Sequence, residues 1–165
     1  MTRPERMTDR LVAIEIDDQG LPAPSAEMAQ ERRVAVLDLL EGNRFALPPR
    51  ENLPAGPWKL ALAIREGRLV FALATEGGEP AGEFHMSLGP FRQVVKDYFQ
   101  ICDSYYEAVR TLPPSQIETI DMARRGIHDE GARVLQERLD GKATLDKDTA
   151  RRLFTLICVL QSGRR

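Results

Sequence analysis

Residues that carry most enzyme chemistry are scarce in this sequence, which has two histidines and two cysteines among its 165 residues. Cys102 and Cys158 each lie within an apolar stretch with helical periodicity, which favours buried free thiols over nucleophiles or a disulfide. No Cys-x-x-Cys, His-x-x-x-His or Gly-x-Ser-x-Gly spacing occurs. We therefore predict no metal site and no cofactor, and we leave open whether the protein is an enzyme.

The sequence also lacks an excess of positive charge and any long apolar run. Its 23 basic and 25 acidic side chains give a formal net charge of −2, whereas sequence-independent binding to nucleic acid depends on a basic excess. No apolar run approaches the roughly 20 residues of a membrane span, and the N-terminal MTRPERMTDR is too polar for a signal peptide. We therefore expect a cytoplasmic protein that contacts no membrane, with nucleic acid a disfavoured partner.

What the first half of the sequence does contain is a strong β pattern. LVAIEID (11–17) alternates as a strand does. WKLALAIREGRLVFALAT (58–75) alternates on both sides of Glu66–Gly67, where a glycine fits a tight hairpin turn. EFHMSL (83–88) continues as a third strand of the meander.

Helical periodicity fills most of the remainder. A helix over 26–41, with Ser25 as N-cap, separates the first strand from the hairpin. Three helices are predicted after residue 89: one that ends at Pro113–Pro114, one over 115–139 that starts with a Ser115–Glu118 capping box, and one over about 146–161. The second half of the last helix, LFTLICVL, is nearly all apolar, so we expect it in the core. The first of these three carries an apolar stripe that we expect to be buried, namely Phe91, Val95, Tyr98, Cys102, Tyr105, Val109 and Leu112.

The order of the main elements predicts an α+β fold. A small antiparallel or mixed sheet (β-α-β-β-β) is followed by three C-terminal helices packed on it, and segregated strands and helices argue against a doubly wound sheet. We expect a frayed N-terminal leader over residues 1–10 and a single α+β domain over 11–162. The pattern does not define the strand order or the oligomeric state.

One polar segment, MARRGIHDEGARVL (122–135), gathers two adjacent arginines, a histidine and two acids between two glycines. On a helix, Arg124 and His128 are four residues apart and share one flank. Two guanidiniums and an imidazole are suited to holding a carboxylate or a phosphate, whereas the consecutive His128, Asp129 and Glu130 cannot close around one metal ion. The candidate site residues are Arg124, Arg125, His128, Asp129 and Glu130, with Arg92 and Lys96 on the preceding helix as neighbours.

Gly126 and Gly131 in this segment are unusual, because a glycine in a helix interior lowers stability by about 1 kcal/mol relative to alanine. Such residues fit a close approach of two backbones, or a break in the helix that would expose free amides to an anion near His128. The plainer interpretation is a solvated helix flank with glycines for tight packing. Guanidiniums paired with carboxylates of their own chain, beside a buried imidazole, would remove the proposed contact surface.

The sequence leaves three functional hypotheses. The favoured one is a non-catalytic protein that binds another macromolecule, most simply another protein, through the polar Arg/His/acid surface. The alternative is a small anionic ligand, phosphate or carboxylate, held by Arg124 and Arg125, with His128 exchanging a proton if the site is enzymatic. RNA contact through ARR and the C-terminal SGRR is a third hypothesis, which predicts steep salt dependence. A cavity over the arginines would favour a ligand, and an exposed apolar patch a protein.

Several stretches also carry a family resemblance: LVAIEID, ERRVAVLDLLEGNRFAL, FHMSLGPFRQVVKDYFQICDSYYEA and IDMARRGIHDEGARVLQERL. Through them, over about residues 7–162, the sequence resembles a family of bacterial proteins, mostly alphaproteobacterial, to which no function is assigned. The resemblance implies a bacterial protein. It implies no activity, cofactor or site residue.

Overall fold

A computed structural model describes residues 7–162 and confirms the α+β class. The elements in chain order are β1 (Leu11–Asp17), α1 (Ala26–Glu41), β2 (Phe45–Ala46), β3 (Trp58–Arg65), β4 (Arg68–Thr75), β5 (Pro80–Ser87), α2 (Arg92–Thr111), α3 (Pro114–Arg138), β6 (Thr144–Leu145) and α4 (Lys147–Gln161). A short 3₁₀ turn over Gly89–Phe91 leads into α2.

The main sheet has four strands in the order β1-β3-β4-β5. It is mixed, because β1 runs parallel to β3 while the other neighbours are antiparallel. The alternation in the sequence predicted the hairpin register, since Leu60 faces Leu73 and Leu62 faces Phe71. A second, two-stranded sheet joins β2 to β6, a strand that was not predicted from the sequence.

Helix α4 is the centre of the helical layer. It packs against both α1 and α3, and α3 also packs against α2. All residues from Leu153 to Leu160 are buried, as expected from the apolar second half of this helix. The hydrophobic core extends from Leu11 to Leu160 and takes side chains from the main sheet and all four helices.

The capping box predicted at Ser115 is wrong. Helix α3 begins at Pro114, and its N-cap is the extended Pro113, which makes no side-chain capping bond. Proline suits the first helical position because its missing N–H would be unpaired there in any case. The apolar stripe of α2 is also shorter than predicted, because the buried side shifts to Ala108 in the last turns and Val109 and Leu112 are exposed.

The last two residues of the leader predicted over 1–10 make backbone hydrogen bonds to the rest of the fold. Asp9 is buried. Its carbonyl oxygen accepts a hydrogen bond from the Phe45 amide at 3.0 Å, and that of Arg10 accepts one from Trp58 at 2.9 Å. Residues 1–6 of the predicted leader lie outside the described residues. Within 7–162, no helix combines the length and apolarity that crossing a membrane requires.

Candidate functional site

The polar segment lies within α3, which continues without a break from Pro114 to Arg138. The hypothetical helix end at Gly126, with free amides near His128, is therefore absent. Gly126 faces open space, whereas a Cβ on Gly131 would lie 2.4 Å from Cδ2 of Phe154 in α4. Gly131 is thus explained by the close approach of two helices, one of the two alternatives that the sequence left open.

Arg124 is largely buried and held by its own chain. Its guanidinium lies 3.1 Å from Oδ1 of Asp121 and 3.5 Å from Oε1 of Glu31 in α1. Its Cζ also lies 4.3 Å from the centre of the Tyr105 ring in α2, a distance at which a cation is attracted to the ring face. These contacts join three helices, so Arg124 helps to hold α1, α2 and α3 together.

Glu31 is the carboxylate around which this cluster is organised. Besides Arg124, it accepts a 2.6 Å hydrogen bond from the Tyr106 hydroxyl. Burial, together with this hydrogen bond to Glu31, raises the pKa of Tyr106 well above its ordinary value. Glu31 was not predicted from the sequence, because it lies 93 residues from Arg124 in the chain and nothing in its local pattern distinguishes it from other helix-surface acids.

Arg125 differs sharply from its neighbour, since 69% of its side chain is exposed. One nitrogen lies 3.0 Å from Oδ2 of Asp121, the carboxylate whose other oxygen holds Arg124. Exposed pairs of this kind contribute about 0–1 kcal/mol. Arg125 can therefore exchange Asp121 for another carboxylate at little cost, while Arg124 stays in place.

His128 is mostly covered by the core beneath it. Its ring centre lies 5.4 Å from that of Tyr98 and 6.4 Å from that of Phe154, and Nε2 is 3.5 Å from Oγ1 of Thr155. Burial, reinforced by the positive charges of Arg124 and Arg151, lowers the pKa of His128 to about 4. The imidazole is therefore neutral near pH 7 and carries no proton to donate as an imidazolium.

The two acids of the segment belong to other contacts. Oδ1 of Asp129 lies 3.4 Å from Nζ of Lys147 and 3.5 Å from Nε of Arg151, so this residue ties α3 to α4. Glu130 is exposed and pairs with Arg133 one turn further along α3. Neither acid lines a cavity with the two arginines.

Two adjoining cavities of about 630 and 300 Å³ share Arg124, His128 and Arg151, and we call them together the arginine cleft. They lie along α3, with walls from α1, α2 and α4. The larger is also lined by Tyr105, Pro114, Ile117, Glu118, Asp121 and Arg125. The smaller is also lined by Glu31, Val34, Ala35, Asp38, Asp148, Arg152 and Thr155.

Arg92 and Lys96, predicted as neighbours of the arginines, line a separate cavity of about 550 Å³ along α2. Its other lining residues include Val95, Phe99 and Gln161, and it shares no residue with the arginine cleft. Helix α2 contributes Tyr105 to the cleft instead, about two and a half turns further along. The structure therefore does not bring these two residues together with Arg124.

The two cysteines take no part in the cleft. Cys102 and Cys158 are free thiols inside the core, as expected. Burial raises the pKa of Cys102 to about 11, which disfavours the reactive thiolate. In the part of the chain that the structure describes, no three His, Cys, Asp or Glu side chains are grouped to hold a metal ion.

Comparison with known proteins places the chain in a family. The model of an uncharacterised protein family, UPF0262, matches residues 8–163, so the chain belongs to this family. A UPF0262 protein of Ruegeria pomeroyi is 69% identical over 156 residues, which cover 93% of this chain and 97% of the relative. One of Paracoccus denitrificans is 68% identical over 157 residues, covering 94% and 97%. No solved structure matches.

Proposed function

We propose that this protein is a non-catalytic cytoplasmic binding protein whose arginine cleft receives a segment of another protein. The observation that carries the proposal is that the two adjacent arginines differ in exposure and in the residues that hold them. Arg124 is fixed by Glu31, Asp121 and Tyr105, while Arg125 remains exposed beside it. The condition that would remove the contact surface is met at Arg124, which pairs with carboxylates of its own chain, and at the largely covered His128. The proposal therefore rests on the exposed Arg125, whose pair with Asp121 leaves it able to bind a carboxylate of a partner.

A cavity does lie over the arginines, which by itself would favour a small ligand, but its composition supports a protein segment. Its charged side chains are of both signs, and a phosphate would have to compete with Glu31 and Asp121 for the guanidiniums. Tyr105, Pro114 and Ile117 add an apolar wall. Interfaces that are both polar and aromatic are typical of protein recognition.

Exposed apolar side chains at the margin support the same choice. Met122 is 65% exposed and lies one helical turn after the cleft residue Glu118. Val109 is 53% exposed and lies one turn after Tyr105. Apolar side chains at the edge of a polar cleft add surface that a protein partner can cover.

The experiment compares Arg125→Glu with a matched control, Arg133→Glu. Arg133 is on the same helix and is also exposed, at 55%, but it pairs with Glu130 and Glu137 away from the cleft lining. Each variant is immobilised, partners are captured from an alphaproteobacterial lysate, and the affinity of the purified partner is then measured by calorimetry. We expect at least tenfold weaker binding for Arg125→Glu, equivalent to about 1.4 kcal/mol, and unchanged binding for the control. Equal affinities for wild type and Arg125→Glu would refute the proposal.

The small-anion hypothesis has its own observation, since Arg124, Arg125 and Arg151 line one cavity. It predicts that inorganic phosphate raises the melting temperature of the wild type and not of Arg125→Glu. Under our proposal, millimolar phosphate changes both melting temperatures equally. RNA binding would instead appear as an affinity that falls steeply between low and moderate salt.

A further inference from the structure

Helix α1 exposes more apolar surface than its contacts explain. Leu37 is 67% exposed, Leu40 45% and Val34 43%. At 100° per residue, these side chains lie on an arc centred on Leu37, opposite the side that buries Met28, Ala35 and Leu39. We call the arc of Arg33, Val34, Leu37, Leu40 and Glu41 the outer face of α1.

The outer face is self-complementary when two copies are placed antiparallel. With a two-fold axis passing beside Leu37, this residue contacts Leu37 of the second copy. Val34 contacts Leu40 of the second copy, because the two residues lie three positions before and after Leu37. Arg33 lies four residues before Leu37 and Glu41 four residues after it, so each arginine meets a glutamate of the second copy. Two opposite charges thus flank the apolar centre symmetrically.

These charges have no equivalent pairing within one helix. Arg33 and Glu41 are eight residues apart, too far for the three- or four-residue spacing at which helix neighbours interact. In the monomer, the Arg33 guanidinium donates a hydrogen bond to the neutral side-chain amide of Gln30. A second copy of α1 would replace this neutral acceptor with a carboxylate at each end of the contact.

We propose that the protein forms a two-fold dimer through the outer faces of two antiparallel α1 helices. The proposal does not rest on the function suggested for the arginine cleft, although Val34 also lines the smaller of its two cavities. Helix α1 has 16 residues, about 24 Å of length, so a contact between two such helices is at the small end of specific interfaces. We therefore expect a reversible dimer with a dissociation constant on the order of 10 μM.

The first test is sedimentation equilibrium of the full chain from about 1 μM to 500 μM. Leu37→Glu places two carboxylates at the axis and is expected to weaken the dimer at least a hundredfold. Met122→Glu is the matched control, because Met122 is exposed to a similar extent, 65%, but lies on α3. A wild type that remains monomeric throughout, or equal effects of the two substitutions, would overturn the proposal.

Charge reversal tests the antiparallel register. Arg33→Glu and Glu41→Arg should each weaken the dimer about tenfold, since each juxtaposes like charges at both ends. The double variant restores opposite charges and should recover the wild-type affinity of the dimer. Failure to recover it, with both single variants folded and weakened, would overturn the register.

A Leu37→Cys variant provides a covalent check, because the native cysteines are buried. Mild oxidation should give disulfide-linked dimers with Leu37→Cys and not with Met122→Cys, and the reverse pattern would overturn the proposal.

Discussion

The two glycines of α3 allow a sharp prediction, because alanine should have opposite effects at Gly126 and Gly131. In a helix interior, alanine is favoured over glycine by about 1 kcal/mol. A Cβ on Gly126 would have no heavy atom within 4 Å beyond its own stretch of helix, so Gly126→Ala should gain most of that amount. For a chain of this size, the gain corresponds to a rise of about 2–4 °C in melting temperature.

At Gly131 the same methyl group meets the Phe154 ring. A Cβ there would lie 2.4 Å from Cδ2 and 2.5 Å from Cγ and Cε2, whereas carbon atoms prefer a separation of about 3.5–4.0 Å. The ring is fully buried, so α3 and α4 must separate or the ring must leave its preferred position. Overpacking of this kind costs about 1–3 kcal/mol. After the gain in helix propensity, we expect Gly131→Ala to destabilise the protein by up to about 2 kcal/mol.

Urea unfolding of the two variants measures both effects. A Gly131→Ala, Phe154→Leu double variant supplies the control, because a smaller side chain at position 154 relieves the clash. The double variant should therefore be more stable than the sum of the two single effects implies, by at least about 0.5 kcal/mol. If Gly131→Ala is as stable as Gly126→Ala, or if the double-mutant cycle shows no coupling, the assignment of Gly131 to close helix packing is wrong.

Three further predictions concern the cluster around the cleft. Arg124→Ala should lower the free energy of unfolding by about 1–3 kcal/mol, because it leaves the largely buried Glu31 with the Tyr106 hydroxyl but without its cationic partner. Arg125→Ala should change it by less than about 0.5 kcal/mol, and equal losses in urea would contradict this. Tyr106→Phe should cost about 1–2 kcal/mol by removing a 2.6 Å hydrogen bond to Glu31, and an unchanged melting temperature would argue against that bond. The wild type should lose stability as the pH falls from 6.5 to 4, because His128 has a pKa of about 4 in the folded protein and about 6.5 in the unfolded chain. His128→Gln should remove about 3 kcal/mol of this pH-dependent loss. Parallel plots of unfolding free energy against pH for the two proteins would refute the prediction.

Local patterns in the sequence predicted most of the fold. The alternation of large apolar side chains on both sides of Glu66–Gly67 predicted the faces of β3 and β4, because a one-residue slip would have moved Leu60, Leu62, Phe71 and Leu73 to the opposite face. Positive φ at both turn residues, 53° and 74°, matches the two-residue turn that this pattern implies. The apolar second half of α4 likewise predicted its burial.

What the sequence did not reveal depends on contacts between distant segments. Strand β6 has two residues, and it is defined by pairing with β2, about 100 residues earlier. The role of Glu31 depends on Arg124 and Tyr106, 93 and 75 residues away. No local periodicity encodes such pairs. The Ser115 capping box failed for a different reason, because the competing local signal of Pro114 at the first helical position prevailed.

The contrast between Arg124 and Arg125 is the most informative point for function. Consecutive residues on a helix point about 100° apart, yet both guanidiniums reach Asp121, one at each carboxylate oxygen. In the continuous α3, one guanidinium turns toward α1 and α2, and the other toward solvent. A phosphate between the two guanidiniums would have to displace Asp121 from both of them, whereas the carboxylate of a partner has to displace it only from Arg125. We therefore base the proposal of a protein segment over a small anion on Asp121, which already occupies both guanidiniums.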